Sequence, residues 1–84
     1  MSHFVYIIES FSLDQWYYGY SSDLEIRLDG HNKGLNKSTR GKGPWKFIFI
    51  RNFDSRSEAL NFERYLKKLK NKHYIRVKFN EYFL

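Results

Sequence analysis

Two short runs of bulky side chains, "FVYII" at residues 4–8 and "WYYGY" at residues 16–20, restrict most strongly how this chain can fold. Unbroken β-branched and aromatic residues bounded by polar ones read as strands. The polar stretch "ESFSLDQ" between them predicts a hairpin with a loose loop. Alternation along the second strand sends Tyr17 and Gly19 to one face and Trp16, Tyr18 and Tyr20 to the other. A glycine beside a tyrosine leaves a gap that a ligand or another backbone can enter, or it marks a bulge or a tight contact. The tyrosines pose a further question, because a buried phenol needs a partner or a task for its hydroxyl.

After the hairpin, "SSDLEIRLDGHNKG" places Ser22 and Glu25 at capping-box spacing and Gly34 where a helix would stop, which predicts a helix from about Asp23 to Asn32. A basic loop punctuated by glycine, "KGLNKSTRGKGP", reads as the chain's flexible insertion. It leads into the clearest strand, "WKFIFIRNF". The segment "SRSEALNFERYLKKLK" opens with a second capping-box pattern, Ser55 to Glu58, and carries Ala59, Phe62, Leu66 and Leu69 at helical spacing. The tail "NKHYIRVKFNEYFL" reads as either a third helix or a strand, and the roughly helical spacing of Tyr74, Val77 or Lys78, and Tyr82 favours the helix. The order β-β-α-β-α plus a C-terminal helix predicts an α/β domain with a small mixed sheet.

An 84-residue chain is expected to form a single domain over residues 1–84 with one modest core. It has no cysteine, so disulfides and thiolate zinc sites are excluded, and aromatic residues, 20% of the chain, must supply the packing. A net charge of +6 favours a polyanionic partner. No apolar run reaches the ~18 residues of a membrane span and no signal segment leads the chain. The expectation is therefore no membrane partner and a cytoplasmic location.

Arg27 and His31 lie four apart on the first helix, within about 60° of Leu24 and Leu28, so both are expected to face the structure on which those leucines pack. Glu63 projects between Ala59 and Leu66, inside the apolar stripe of the second helix, where a carboxylate needs a cation or a metal. Each has a commonplace reading taken alone: an edge pair snorkelling to water, and a structural salt bridge. Together they offer an arginine, a histidine and a carboxylate directed inward beside tyrosines from a hairpin.

Those residues, in that order, resemble the GIY-YIG nuclease superfamily, in particular its small stand-alone bacterial members. The similarity runs through Val5-Tyr6, "YYG" at residues 17–19, "SSDLEIRLDGHNKG", "TRGKGPW" and "SRSEALNFERYLKKLK", from about residue 4 to 75. Phe4-Val5 stands where the family has Gly-Ile, and Tyr20 where some relatives carry a lysine. The resemblance implies a three-stranded antiparallel sheet flanked by helices and a metal-dependent endonuclease hydrolysing phosphodiester bonds in DNA. It matches Tyr6, Tyr17, Arg27, His31 and Glu63 to catalytic positions, with Glu63 holding Mg2+ or Mn2+. Mg2+ keeps several waters and takes substrate phosphate as a ligand, so one carboxylate can hold it.

Arg27 suits a two-pronged phosphate contact, Tyr17 is the first choice to activate or align water, and His31 titrates near neutrality. Lys33, Lys37, Arg40 and Lys42 of the basic loop, with Lys67, Lys68 and Lys70 of the second helix, are expected to meet phosphates. Branched, single-stranded and damaged duplex DNA all remain open as substrates, as does a role in DNA repair. The alternatives are a nucleic-acid-binding module of the same fold with little or no catalysis, and a protein-interaction subunit using its aromatics.

Overall fold

A computed structural model describes residues 2–84. Strand β1 (His3–Ser10) lies at the centre of a three-stranded sheet, between β2 (Trp16–Ser21) and β3 (Trp45–Phe53), in the order β2-β1-β3. Both pairings are antiparallel, so the sheet is not the mixed one that element order suggests. The hairpin joins β1 to β2 directly, and the α1 crossover returns β3 to the far side of β1 still running against it.

Helix α1 (Leu24–Asn32) covers one face, while α2 (Arg56–Leu69), α3 (Lys72–Lys78) and a 3-10 turn at Asn80–Tyr82 follow β3. The unbroken apolar run of β1 follows from its central place, because both of its faces are covered. Val5 and Ile7 join Ile48, Phe49, Ala59, Leu66 and Ile75 in one cluster. Tyr6 and Ile8 join Trp45, Tyr17, Leu24, Leu28 and Phe47 in the other. The alternation read from β2 holds, with Trp16, Tyr18 and Tyr20 against the first cluster. In the β1–β3 pairing Ile7 faces Phe49 and Ile8 faces Phe47, so Ile48 bulges. Successive residues Ile48 and Phe49 thereby reach the same core, and the Leu84 amide donates to the bulged Ile48 carbonyl at 2.9 Å.

Asp23, rather than Ser22, caps α1, its carboxylate accepting from the Ile26 amide at 3.1 Å. Ser22 lies one residue outside that cap, while Ser21 bonds both the amide and the carbonyl of Asp23. Gly34, at φ +77°, ends the helix in the left-handed region that glycine adopts without strain. Ser55 caps α2 as its sequence suggests, accepting from the Glu58 amide at 3.2 Å. Ser55→Ala is expected to cost about 1 kcal/mol and, in a domain of this size, about 4–8 °C in melting temperature; a thermal melt of the variant checks this. The tail is helical, but its buried residue is Ile75, and Tyr74 and Val77 face solvent.

Candidate functional site

The β1–β2 register sets Tyr6 opposite Gly19. A Cβ at Gly19 would overlap the hydroxyl and distal ring carbons of Tyr6. The gap beside the tyrosine is thus filled by a second tyrosine of the same chain. The Tyr6 hydroxyl meets His31 Nε2 at 2.8 Å, and the His31 ring packs edge-on against Tyr17 with centroids 4.9 Å apart. On its other side, His31 Nδ1 lies 2.8 Å from Thr39 Oγ1. Tyr6, His31 and Thr39 are all buried, at 1%, 2% and 1% exposure. Three separate elements and one loop therefore meet at a single imidazole.

Burial drives the Tyr6 phenol well above its ordinary pKa; the neighbouring Tyr17 and Glu63 push the same way, and Arg27 opposes them. Burial lowers His31 below the usual histidine value, and the Arg27 charge adds to that. The folded protein therefore favours a neutral imidazole. Below about pH 6.5, the ordinary histidine value, the unfolded chain binds a proton that the native state resists, so stability contributed at higher pH is lost as pH falls. Melting temperature is expected to fall on acidification from pH 7 to 5, and His31→Gln is expected to flatten that slope.

Arg27 differs from expectation in being solvent-exposed. It lines a hollow of about 390 Å³ shared with Ser21, Asp23, Ile26, His31 and Asn36. Its position at the helix border leaves the guanidinium free while its charge still reaches Tyr6 and His31. Tyr17 is half-buried, its hydroxyl accepting from Asn36 Nδ2 at 3.4 Å. Glu63 is inward-facing, with its side chain 15% exposed, and it pairs with Lys67 at 3.4 Å.

The basic loop is braced at many points, contrary to its reading as a flexible insertion. Asn32 accepts from the Trp45 amide at 2.6 Å and donates to the Trp45 carbonyl at 3.2 Å. The Trp45 indole donates to the Thr39 carbonyl at 3.3 Å, and Ser10 Oγ donates to the Lys42 carbonyl at 2.6 Å. Arg40 Nε donates to the Gly34 carbonyl at 2.9 Å, which steadies its guanidinium beside a second hollow lined by His31, Gly41 and Gly43. Lys33 pairs with Asp29 at 2.7 Å. Among the described residues Lys37, Arg40 and Lys42 make no ion pair.

Sequence reasoning missed Thr39, Asn36 and Asn32 as parts of the site. The available signal was the turn "NKST", where an asparagine and a threonine three residues apart favour local side-chain bonds to backbone.

Among the described residues no group of three or more histidine, aspartate or glutamate side chains converges as a metal cage. A single inward carboxylate fits an ion such as Mg2+ that keeps its waters and completes its shell with substrate phosphate. Glu63 fits that more modest requirement.

A small antiparallel sheet with α1 on one face and a buried Tyr-His pair beside an exposed arginine makes a compact α/β domain of the GIY-YIG kind. The chain belongs to that family: residues 2–78 match the GIY-YIG catalytic domain. It is 39% identical over 70 residues to the UPF0213 protein BH0048 of Halalkalibacterium halodurans, covering 82% of this chain and 73% of that one. It is 38% identical over 72 residues to the UPF0213 protein YazA of Bacillus subtilis, covering 84% and 72%. A relative from Halobacterium salinarum is 41% identical over 68 residues, covering 80% and 87%. The group thus extends to archaea, beyond the bacterial range expected from sequence. The solution structure of BH0048 superposes with a TM-score of 0.56 at 35% identity, covering 92% of this chain and 82% of that one. No helix among the described residues is long and apolar enough to cross a membrane.

Proposed function

We propose that this domain binds nucleic acid along the face formed by α1 and the basic loop and hydrolyses a phosphodiester bond of DNA there. The observation that carries the reading is the buried Tyr6–His31 hydrogen bond, 2.8 Å long, beside an exposed arginine whose charge reaches both groups. A purely structural core has little use for a phenol and an imidazole sealed together next to a free guanidinium.

Arg27 contacts the scissile phosphate, where its planar fork matches two oxygens. Tyr17, half-buried, aligns the attacking water. The sequence alone favours Tyr17 as base, but its hydroxyl already accepts from Asn36, whereas Tyr6 has an acceptor for its own proton. Burial makes a free Tyr6 phenolate costly. The phenol therefore takes the water's proton only as its own passes to His31 Nε2. As the water oxygen bonds to phosphorus, the bond to the leaving oxygen breaks, and solvent protonates that oxygen. Glu63 would hold Mg2+ or Mn2+, which when bound supplies a positive charge against the phosphate.

Lys37, Arg40 and Lys42 supply phosphate contacts. If each neutralises one phosphate, replacing Lys37 or Lys42 with alanine is expected to reduce the slope of log affinity against log salt by about 0.7 to 0.9. Binding titrations on duplex and single-stranded DNA from low to moderate salt measure that slope.

The second reading is a module that binds nucleic acid without cutting it. It is favoured by the sealing of Tyr6 at 1% exposure and by Glu63 standing as a lone carboxylate paired with Lys67. A Mg2+-dependent cleavage assay on plasmid, single-stranded and branched DNA separates the two. Cleavage by the parent, lost in folded Glu63→Ala and Tyr6→Phe variants that still bind, supports hydrolysis. Salt-dependent binding with no cleavage of any substrate leaves the binding module.

A further inference from the structure

We propose that Thr39 is a positioning residue that holds the His31 ring with its proton on Nδ1, leaving Nε2 bare to accept the Tyr6 proton. Its use in hydrolysis rests on the function proposed above, but the tautomer assignment stands on the hydrogen bonds alone.

Three hydrogen-bond contacts together favour one tautomer. Besides His31, Thr39 Oγ1 reaches the Asn36 carbonyl, 3.4 Å away. That carbonyl also accepts from the Thr39 and Arg40 amides, but it can take the threonine hydrogen as well, which turns a lone pair toward His31 Nδ1, 2.8 Å away. In that arrangement Nδ1 is the protonated nitrogen. The imidazole is neutral, so Nε2 carries no hydrogen and accepts from the Tyr6 hydroxyl at 2.8 Å. The opposite tautomer fails at the tyrosine end. Nε2 would donate to Tyr6, whose buried hydroxyl hydrogen would then have no acceptor among the described residues, and Thr39 would turn away from Asn36.

Thr39 belongs to the basic loop, and its own position is secured by the Trp45 indole on its carbonyl. The loop that carries Lys37, Arg40 and Lys42 thus also orients the imidazole. A threonine in this place ties the segment expected to meet phosphate to the group expected to move a proton. The groups facing His31 are Tyr6 from β1, Tyr17 from β2, Arg27 from its own helix and Thr39 from the loop.

The test is nitrogen-15 NMR of the His31 ring at pH 8 in the parent, Thr39→Val and Thr39→Ser proteins, with the signals assigned by their loss in His31→Gln. The expected result is a protonated Nδ1 in the parent and in Thr39→Ser, and a shift toward a protonated Nε2 in Thr39→Val, which offers Nδ1 no acceptor. A parent ring protonated on Nε2, or an unchanged tautomer in folded Thr39→Val, overturns the proposal. Should the valine variant not fold, the parent and serine spectra still decide it.

Cleavage assays on the same proteins keep the two readings apart. A protonated Nδ1 without cleavage of any substrate leaves the positioning role intact and removes hydrolysis. Cleavage with a protonated Nε2 removes the positioning role and the proton step from Tyr6 to His31, while hydrolysis itself stands. Where the parent cleaves, Thr39→Val is expected to lower kcat about tenfold or more with KM little changed, and to move the acid limb of the pH profile. Thr39→Ser is expected to restore both.

Discussion

Replacing Gly19 with valine is expected to lower stability by about 3 kcal/mol, at the upper end of the usual cost of overpacking a tight core. At about 4–8 °C per kcal/mol for a domain of this length, the melting temperature should fall by roughly 12–24 °C. The cause is specific. The first added carbon would overlap the Tyr6 hydroxyl and distal ring carbons, and Tyr6 is 1% exposed with Ile8, Tyr17 and Phe47 around it. The ring cannot swing into solvent without giving up its bond to His31. Total stability for 84 residues is about 4–13 kcal/mol, so the variant should lose between about a quarter and three quarters of it.

Gly30 makes the contrast. It lies within α1, and a Cβ there meets only Leu35 Cδ1 at 3.9 Å, an ordinary contact. Gly30→Ala should therefore stabilise by about 0.5–1 kcal/mol through helix propensity and a less flexible unfolded chain. Thermal or urea melts of the two variants should shift in opposite directions. A Gly19→Val protein melting with the parent would remove the close approach of Tyr6 from the account of the site.

Arg27→Ala is expected to lower kcat/KM for cleavage about 10²- to 10³-fold, or about 3–4 kcal/mol of transition-state stabilisation. Arg27 is exposed, so its removal should leave the melting temperature within about 2 °C, as for surface substitutions away from packed contacts. Arg27→Lys retains the charge but loses the planar fork, so it should recover only part of the activity. Steady-state kinetics beside a thermal melt make the check. A parent-like rate in folded Arg27→Ala would take the arginine out of the phosphate site, and a collapse in stability would recast it as a structural residue.

Much of the architecture is legible locally. The two faces of β2 follow from alternation, and α2 follows from Ser55 and from the spacing of Ala59, Phe62, Leu66 and Leu69. These depend on neighbours in the chain, and short-range stereochemistry governs them. The α1 cap was misread because Ser22 and Asp23 both offer an oxygen, and the choice depends on where Ser21 is held by β2. The helix of the tail follows from its spacing, but its buried face does not, because Ile75 packs against a core assembled from distant segments.

The sequence by itself determined the elements, the positive charge and the residue types gathered into a GIY-YIG pattern, because these are set by composition and by short spacings along the chain. Only the tertiary structure decided how those residues are used. Tyr6 crosses Gly19 because an antiparallel register aligns residues 13 positions apart. His31 is buried between Tyr6 and Thr39, where burial favours its neutral form, because a loop folds back over α1, whereas Arg27, one turn earlier, stays in solvent. Hydrogen-bond direction, burial and charge proximity belong to atoms brought together across long stretches of chain, and no pattern of neighbours along the chain specifies them.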